Sequence, residues 1–168
     1  KLLSPSRVDA PEIGLYSHKL GDFWLVGGAS NTGGGVLRSF FSVLELDALS
    51  RDINPAKASN LAYYPLLRPG ERFPINDTEL APRLTPRPND DAEFLHGLFE
   101  SMARIEKQCY VEMENLGASY PTSVRTAGGG ASNDVWSAIR QRVLQADILL
   151  SRQTEAAVGV ALLVQRSG

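Results

Sequence analysis

Two glycine triplets carry the chemistry that this sequence offers most openly. Gly33–Gly34–Gly35 follows a β-rich run, Phe23 to Ala29, and the polar Ser30–Asn31–Thr32. It precedes Val36, Leu37, Phe40 and Phe41, whose spacing suits one helical face. Gly128–Gly129–Gly130 follows Ser123–Val124–Arg125–Thr126–Ala127 and leads to a helix from Asp134 to Leu144, with Val135, Ile139 and Val143 in register. Each is a strand, glycine turn, helix unit. Without Cβ atoms such a turn lets the backbone approach a ligand, and a helix starting there offers unpaired N–H groups and a positive dipole end, which suits phosphate. Three successive glycines cost about 0.5–1 kcal/mol each relative to alanine, so a cost met twice argues for a use met twice. Neither turn is a standard fingerprint: no Lys–Ser or Lys–Thr follows the first, and Asn133 stands where a dinucleotide fold has its third spaced glycine. Taken singly, each also reads as a plain tight turn with Thr32, and Ser132 or Asn133, as helix caps.

Other reactive residue types offer less. Asp90–Asp91 at a helix start reads as a cap and a dipole partner, not a carboxylate pair. His96 lies on a helix with no Cys or Asp at ligand spacing, and Cys109 lies on an apolar face. Trp136 reads as a packing anchor beneath the second glycine turn, and Glu155 as a residue favouring its helix N-terminus. With two histidines and one cysteine, the chain has no disulfide framework, no His-built metal centre and no assignable Ser–His–Asp set. No catalytic or metal residue is assigned.

The 168 residues amount to one domain of ordinary size, and 43% hydrophobic content supports a core. A net charge of −2 without a basic block argues against nucleic acid. No run approaches 18 apolar residues and no secretory leader is visible, so a soluble, cytoplasmic protein is expected, with the plastid stroma as the alternative.

Three regions position the glycine turns. A hairpin is expected from Ile13–His18 and Phe23–Ala29 around Lys19–Leu20–Gly21–Asp22, followed by the first glycine turn and a short helix from Val43 to Asp52. Seven of the ten prolines fall between Pro55 and Pro88, so residues 54–88 form an irregular but ordered excursion. Its Tyr63, Tyr64, Leu66, Leu67, Phe73 and Ile75 should pin it across a surface. A long amphipathic helix then runs from a cap at Asn89 or Asp90 through Phe94, Leu95, Leu98, Met102, Ile105, Cys109, Met113 and Leu116 to Gly117. Asp147–Leu150 reads as a last strand, and Thr154–Glu155 opens a closing helix through Ala157, Val160, Ala161 and Val164.

Four segments, in order, resemble the C-terminal half of an FGGY-type carbohydrate kinase, and within that family the plant and cyanobacterial D-ribulose kinase branch, formerly grouped with xylulose kinases. They are Val26–Arg38 with its glycine triplet, Gly70–Glu71–Arg72–Phe73–Pro74, Thr126–Trp136 with the second triplet, and Thr154–Ala161. The similarity covers essentially all of residues 1–168. It implies an α/β, ribonuclease H-like (actin-like ATPase) domain, the C-terminal and nucleotide-binding lobe of a two-lobed sugar kinase. It further implies ATP and Mg²⁺ as cofactors and a pentulose such as D-ribulose as substrate. By similarity, Gly128, Gly129, Gly130, Ala131 and Asn133 form the adenosine segment, while Gly34, Gly35 and Arg38 sit near the phosphates or ribose. The family's general base is an Asp in a Gly-rich segment upstream of the strand that Lys1–Leu3 continues. No acidic residue here matches it, and the N-terminal lobe with most sugar contacts is absent, so the chain alone is expected to be catalytically incomplete. A non-catalytic, pseudokinase-like interaction or regulatory domain is the alternative, and a dinucleotide-binding oxidoreductase fragment a third. A lobe lacking its partner should expose an apolar patch, expected on the Tyr63, Tyr64 and Phe73 excursion and the hairpin face, and self-associate.

Overall fold

The longest element organises the others. In the computed structural model, which describes residues 1–127 and 129–151, helix α3 runs Asp91–Asn115. Asp90 caps it, its side chain accepting from the N–H groups of Ala92 (2.8 Å) and Glu93 (3.4 Å). Phe94, Leu95 and Leu98 recur at the expected spacing and are fully buried. Side chains of this size each contribute about 1.5–3 kcal/mol on burial.

Before α3 lie β1 (Leu2–Ser4), β2 (Tyr16–Leu20), β3 (Phe23–Gly27), α1 (Gly34–Phe40) and α2 (Val43–Ser50). After it come β4 (Ser123–Thr126), α4 (Asp134–Leu144) and β5 (Asp147–Leu150). The strands form two sheets, antiparallel β1–β3–β2 and parallel β4–β5. One apolar cluster joins Leu2, Leu15 and Val26 near the first sheet to Val124 and Leu144 near the second through Tyr110 and Met113 of α3. A second cluster packs Phe41, Ile53 and Tyr63 on the start of α3 and on Ile139 of α4.

The hairpin differs in register from its sequence reading. Leu20 pairs with Phe23, so the turn is only Gly21–Asp22, with Gly21 at φ 58°. Strand β2 therefore shifts to Tyr16–Leu20, and residues 11–13 form a 3-10 turn instead. Helix α2 carries a full capping box: Glu45 N–H donates to Ser42 Oγ while the Ser42 N–H donates to the Glu45 carboxylate. The expected cap at Thr32 is a correction. Gly33 itself is the N-cap of α1, with φ 146° and no side-chain capping bond. The closing helix from Thr154 lies outside the described residues.

The excursion, 54–88, is ordered by polar contacts to α3 and α4. Tyr63 N–H donates to Ser101 Oγ (2.9 Å), and Arg104 donates to the carbonyls of Leu61 and Ser59. Arg142 donates to the Pro55 and Lys57 carbonyls and forks onto the buried Glu100 at 2.5 and 3.1 Å. At Gly97 the excursion comes close to α3, because a Cβ there would lie 2.7 Å from the Tyr63 ring and 2.8 Å from Leu61 Cδ1. The expected exposed patch on Tyr63, Tyr64 and Phe73 is likewise corrected: all three are core residues. Exposed apolar side chains include Tyr16 and Phe23 on the hairpin, where exposure was expected, and also Val43, Leu44 and Leu67. Among the described residues no helix is long and apolar enough to cross a membrane.

Replacing Arg142 with Ala should strip Glu100 of its main partner and release the excursion. The expected loss in urea unfolding is about 2–3 kcal/mol, below the 3–5 kcal/mol of a sole buried partner because Arg104 and His96 also face Glu100. Burial holds the His96 imidazole below its ordinary value of 6.5, against the nearby Glu100 and with Arg142 and Arg104 adding to the shift. The unfolded chain thus takes up the proton first, so stability contributed by neutral His96 is complete above pH 6.5 and falls as the pH drops toward the lowered native value. Unfolding free energies at pH 7.5 and 5.5 should differ less in a His96→Gln variant than in the wild type.

Candidate functional site

Both glycine turns open into the same cleft. Its volume is about 650 Å³, within the range of small-molecule sites. One wall comes from the start of α1 and from α2: Gly33, Gly34, Leu37, Arg38, Leu46 and Asp47. The facing wall is the second turn, with Gly130, Ser132, Asn133 and Trp136. Met102, Ile105, Cys109 and Met113 of α3 form an apolar floor, to which Phe73 adds. The cleft therefore combines polar, glycine-bearing segments with an apolar floor.

Each wall is held by identifiable bonds. Residues 129–132 form a 3-10 turn, after which Asn133 caps α4 by accepting from the Trp136 N–H at 2.8 Å. The same side chain donates through Nδ2 to Ser50 Oγ at 2.8 Å, and Ser50 donates to the Leu46 carbonyl. Asn133 thereby links the second turn to α2 across the cleft. Below it, the buried Arg140 of α4 forks onto Glu106 of α3 at 2.6 and 2.7 Å and donates to Thr126 Oγ1 at the end of β4. Trp136 packs against Phe99, ring centroids 5.2 Å apart, and lies within contact distance of the place a Gly130 Cβ would occupy. It is the anchor that its sequence position suggested.

Of the eight residues singled out by resemblance, Gly34, Arg38, Gly130 and Asn133 border the cleft. Gly35 faces Leu67 and Ala131 sits in the 3-10 turn, and neither borders it. Gly129 begins that turn, and Gly128 lies outside the described residues. Sequence reasoning missed Leu46 and Asp47 of α2, which no spacing marks. It also missed Glu100 and Glu106, although an acid at the three-and-four spacing of an apolar stripe was a usable signal.

Two observations bear on what the cleft can hold. A side chain at Gly33 or Gly34 would meet no atom within 4 Å, so both glycines leave open space at the cleft. Thr32 Oγ1, beside them, is buried and without a hydrogen-bond partner among the described residues, a state that polar atoms in folded proteins rarely occupy unless a ligand or water completes them. An anionic ligand with a flat apolar portion fits this arrangement. A metal ion has less to hold it: among the described residues no group of three or more His, Cys, Asp or Glu side chains converges.

The family model for the C-terminal domain of the FGGY family of carbohydrate kinases matches residues 6–167. The chain belongs to this family. Its mixed α/β fold is that of the family's actin-like ATPase domain. A xyloylose kinase from Brucella ovis superposes with a TM-score of 0.80 at 22% identity, over 96% of this chain and 35% of that one. A xylulose kinase from Rhodospirillum rubrum gives 0.76 at 22%, over 99% and 36%. A gluconate kinase from Lactobacillus acidophilus gives 0.75 at 15%, over 98% and 35%. The FGGY lobe described here thus spans about a third of the length of these kinases.

Cys109 borders the cleft, yet burial, with the charges of Glu71 and Glu106 adding, pushes its thiol up from 9.0 to about 12. A thiol held that high carries very little reactive thiolate near neutral pH. Alkylation by iodoacetamide at pH 8, followed by mass spectrometry, should run at least about a hundredfold slower in the folded chain than in urea. Similar rates in the two states would contradict this burial.

Proposed function

We propose that this chain is the nucleotide-holding lobe of an ATP-dependent kinase that phosphorylates a hydroxyl of a small sugar, a pentulose such as D-ribulose being the first choice. One observation supports this above the others: both glycine turns, far apart in the chain, border one cleft. The adenine and ribose lie against Gly129 and Gly130, with Trp136 beneath them. The phosphate chain runs toward Gly33, Gly34 and the Arg38 guanidinium. Asn133 spends its amide on Ser50 and the α4 cap, so its part is to hold the second turn at a fixed distance from α2.

When bound, ATP supplies the transferable γ-phosphoryl group. This lobe's residues bind and orient. Phosphoryl transfer depends on positioning, charge neutralisation and a group that takes the hydroxyl proton. Without a convergent set of ligating side chains on the described residues, Mg²⁺ belongs with the phosphates and with groups of the other lobe. That lobe also supplies the base and the sugar contacts, and the 168-residue chain by itself binds nucleotide without turning over sugar. Xylulose and gluconate, acted on by the structural neighbours, are the alternatives to ribulose.

Titration calorimetry of the purified chain with ATP·Mg²⁺ should give saturable, one-site binding. Gly34→Leu should weaken it at least about tenfold while leaving stability within about 0.5 kcal/mol, because the new side chain enters open space at the cleft. Coupled assays with D-ribulose, D-xylulose and gluconate should show no turnover by the chain alone. A folded chain without ATP binding would sink the nucleotide reading, and turnover by the lone lobe would sink the division of labour.

A further inference from the structure

The loop from Gly28 to Thr32 carries the first glycine turn to the cleft, and it has no regular structure of its own. A carboxylate from the excursion holds it. Glu71 is 2% exposed, and its oxygens accept four hydrogen bonds. Oε1 accepts from the backbone N–H groups of Asn31 (2.7 Å) and Arg72 (2.8 Å). Oε2 accepts from the hydroxyls of Ser30 (2.7 Å) and Tyr64 (3.0 Å). Ser30 Oγ in turn accepts from the Thr32 N–H at 3.2 Å. The Asn31 side chain adds an outer pair of bonds, donating to the Gly70 carbonyl and accepting from Arg72 Nε, each at 3.0 Å. Phe73 fills the place a Gly28 Cβ would take, its Cγ 2.4 Å from that point.

This chain of bonds ends at the cleft. Its last member is Thr32, whose hydroxyl is buried there and has no partner among the described residues. The backbone donors of Asn31 and Arg72 cannot rotate to find other acceptors, so the carboxylate fixes the loop in one place, and buried donors that lose their acceptor are costly. We propose that Glu71 is a positioning residue: through Ser30 and Asn31 it sets the Thr32 hydroxyl and Gly33–Gly34 at the height where they meet a bound phosphate chain. The proposal rests on the nucleotide reading above. Glu71 itself touches no ligand.

Two substitutions separate positioning from general support. Glu71→Gln keeps an oxygen for the two backbone donors and turns its NH₂ toward Ser30 and Tyr64, whose hydroxyls rotate to accept. Glu71→Ala loses all four bonds. Leu144→Ala, a change at a fully buried core residue that does not itself line the cleft, serves as the stability control. On the 168-residue chain, ATP·Mg²⁺ affinity by calorimetry should fall about tenfold in Glu71→Ala, equivalent to about 1.4 kcal/mol. It should stay within about threefold of wild type in Glu71→Gln, and be unchanged in Leu144→Ala despite a lowered Tm. Hydrogen exchange should quicken at residues 30–34 in Glu71→Ala and not in the control. Should Glu71→Ala fail to fold, Ser30→Ala carries the test, with about a threefold loss of affinity and faster exchange at Thr32. Equal affinities in Glu71→Ala and Leu144→Ala, or unaltered exchange at residues 30–34, would overturn the proposal. If the wild-type chain binds no ATP, the nucleotide reading falls by itself, and exchange at residues 30–34 alone decides whether Glu71 sets the turn.

Discussion

Two arginines of α4 grip two glutamates of α3, and the cleft depends on that grip. Arg140 forks onto Glu106 and Arg142 onto Glu100, with all contacts between 2.5 and 3.1 Å. Arg140, Glu100 and much of Glu106 are out of solvent, where an ion pair contributes little net stability over a well-packed apolar pair but penalises any other arrangement heavily. The pairs therefore act as register pins. They set the height of α4 along α3, and α4 begins at the second glycine turn. The same Arg142 holds the carbonyls of Pro55 and Lys57, so the excursion is placed by the same device.

The excursion, in turn, supplies a second clamp from the opposite side. A segment with seven prolines has few N–H donors and forms only isolated backbone bridges of its own, Tyr64 with Arg83 and Glu71 with Asp77, so side chains of other elements supply much of its order. Once placed, it returns Glu71 to the loop in front of α1 and Phe73 to the space left by Gly28. Neither wall of the cleft is built by its own local structure. Each is held by polar bonds from elements far away in the chain.

On the proposed function, an FGGY kinase lobe needs such fixed walls because phosphoryl transfer leaves the protein little covalent chemistry to do. In the proposed reading, glycines give the backbone access to the nucleotide and distant carboxylates keep that backbone still. The cost is an apolar floor, formed by Met102, Ile105 and Met113, which a nucleotide's polar tail does not need. Val43, which borders the cleft, and its neighbour Leu44 on α2 are exposed, at 64% and 81%. Apolar surface at the mouth of a cleft suits the closing of a second lobe over it.

Much of this was legible in the residues. The three-and-four spacing of Phe94 to Met113 with Asp90 ahead marks α3, and Asp134 to Leu144 marks α4, because helix periodicity and capping are local properties. The two glycine triplets mark the turns, and four ordered segments mark the family. Gly35 and Ala131, by contrast, share a segment with cleft residues but do not border it, since a single residue's direction depends on how its helix is rotated in the packing. Thr32 had the composition of a cap and became a hydroxyl at the cleft, unpaired among the described residues, because Glu71, forty residues away, reorganised the loop before it. Tyr63, Tyr64 and Phe73 looked like an exposed patch and are core, because the arginines that pin the excursion sit on other elements. The chain's own residues thus determined its helices, its turns and its kinship. Which glycines face the cleft, and what holds them there, was decided by pairings between distant charged and polar side chains, which no local pattern of residues encodes.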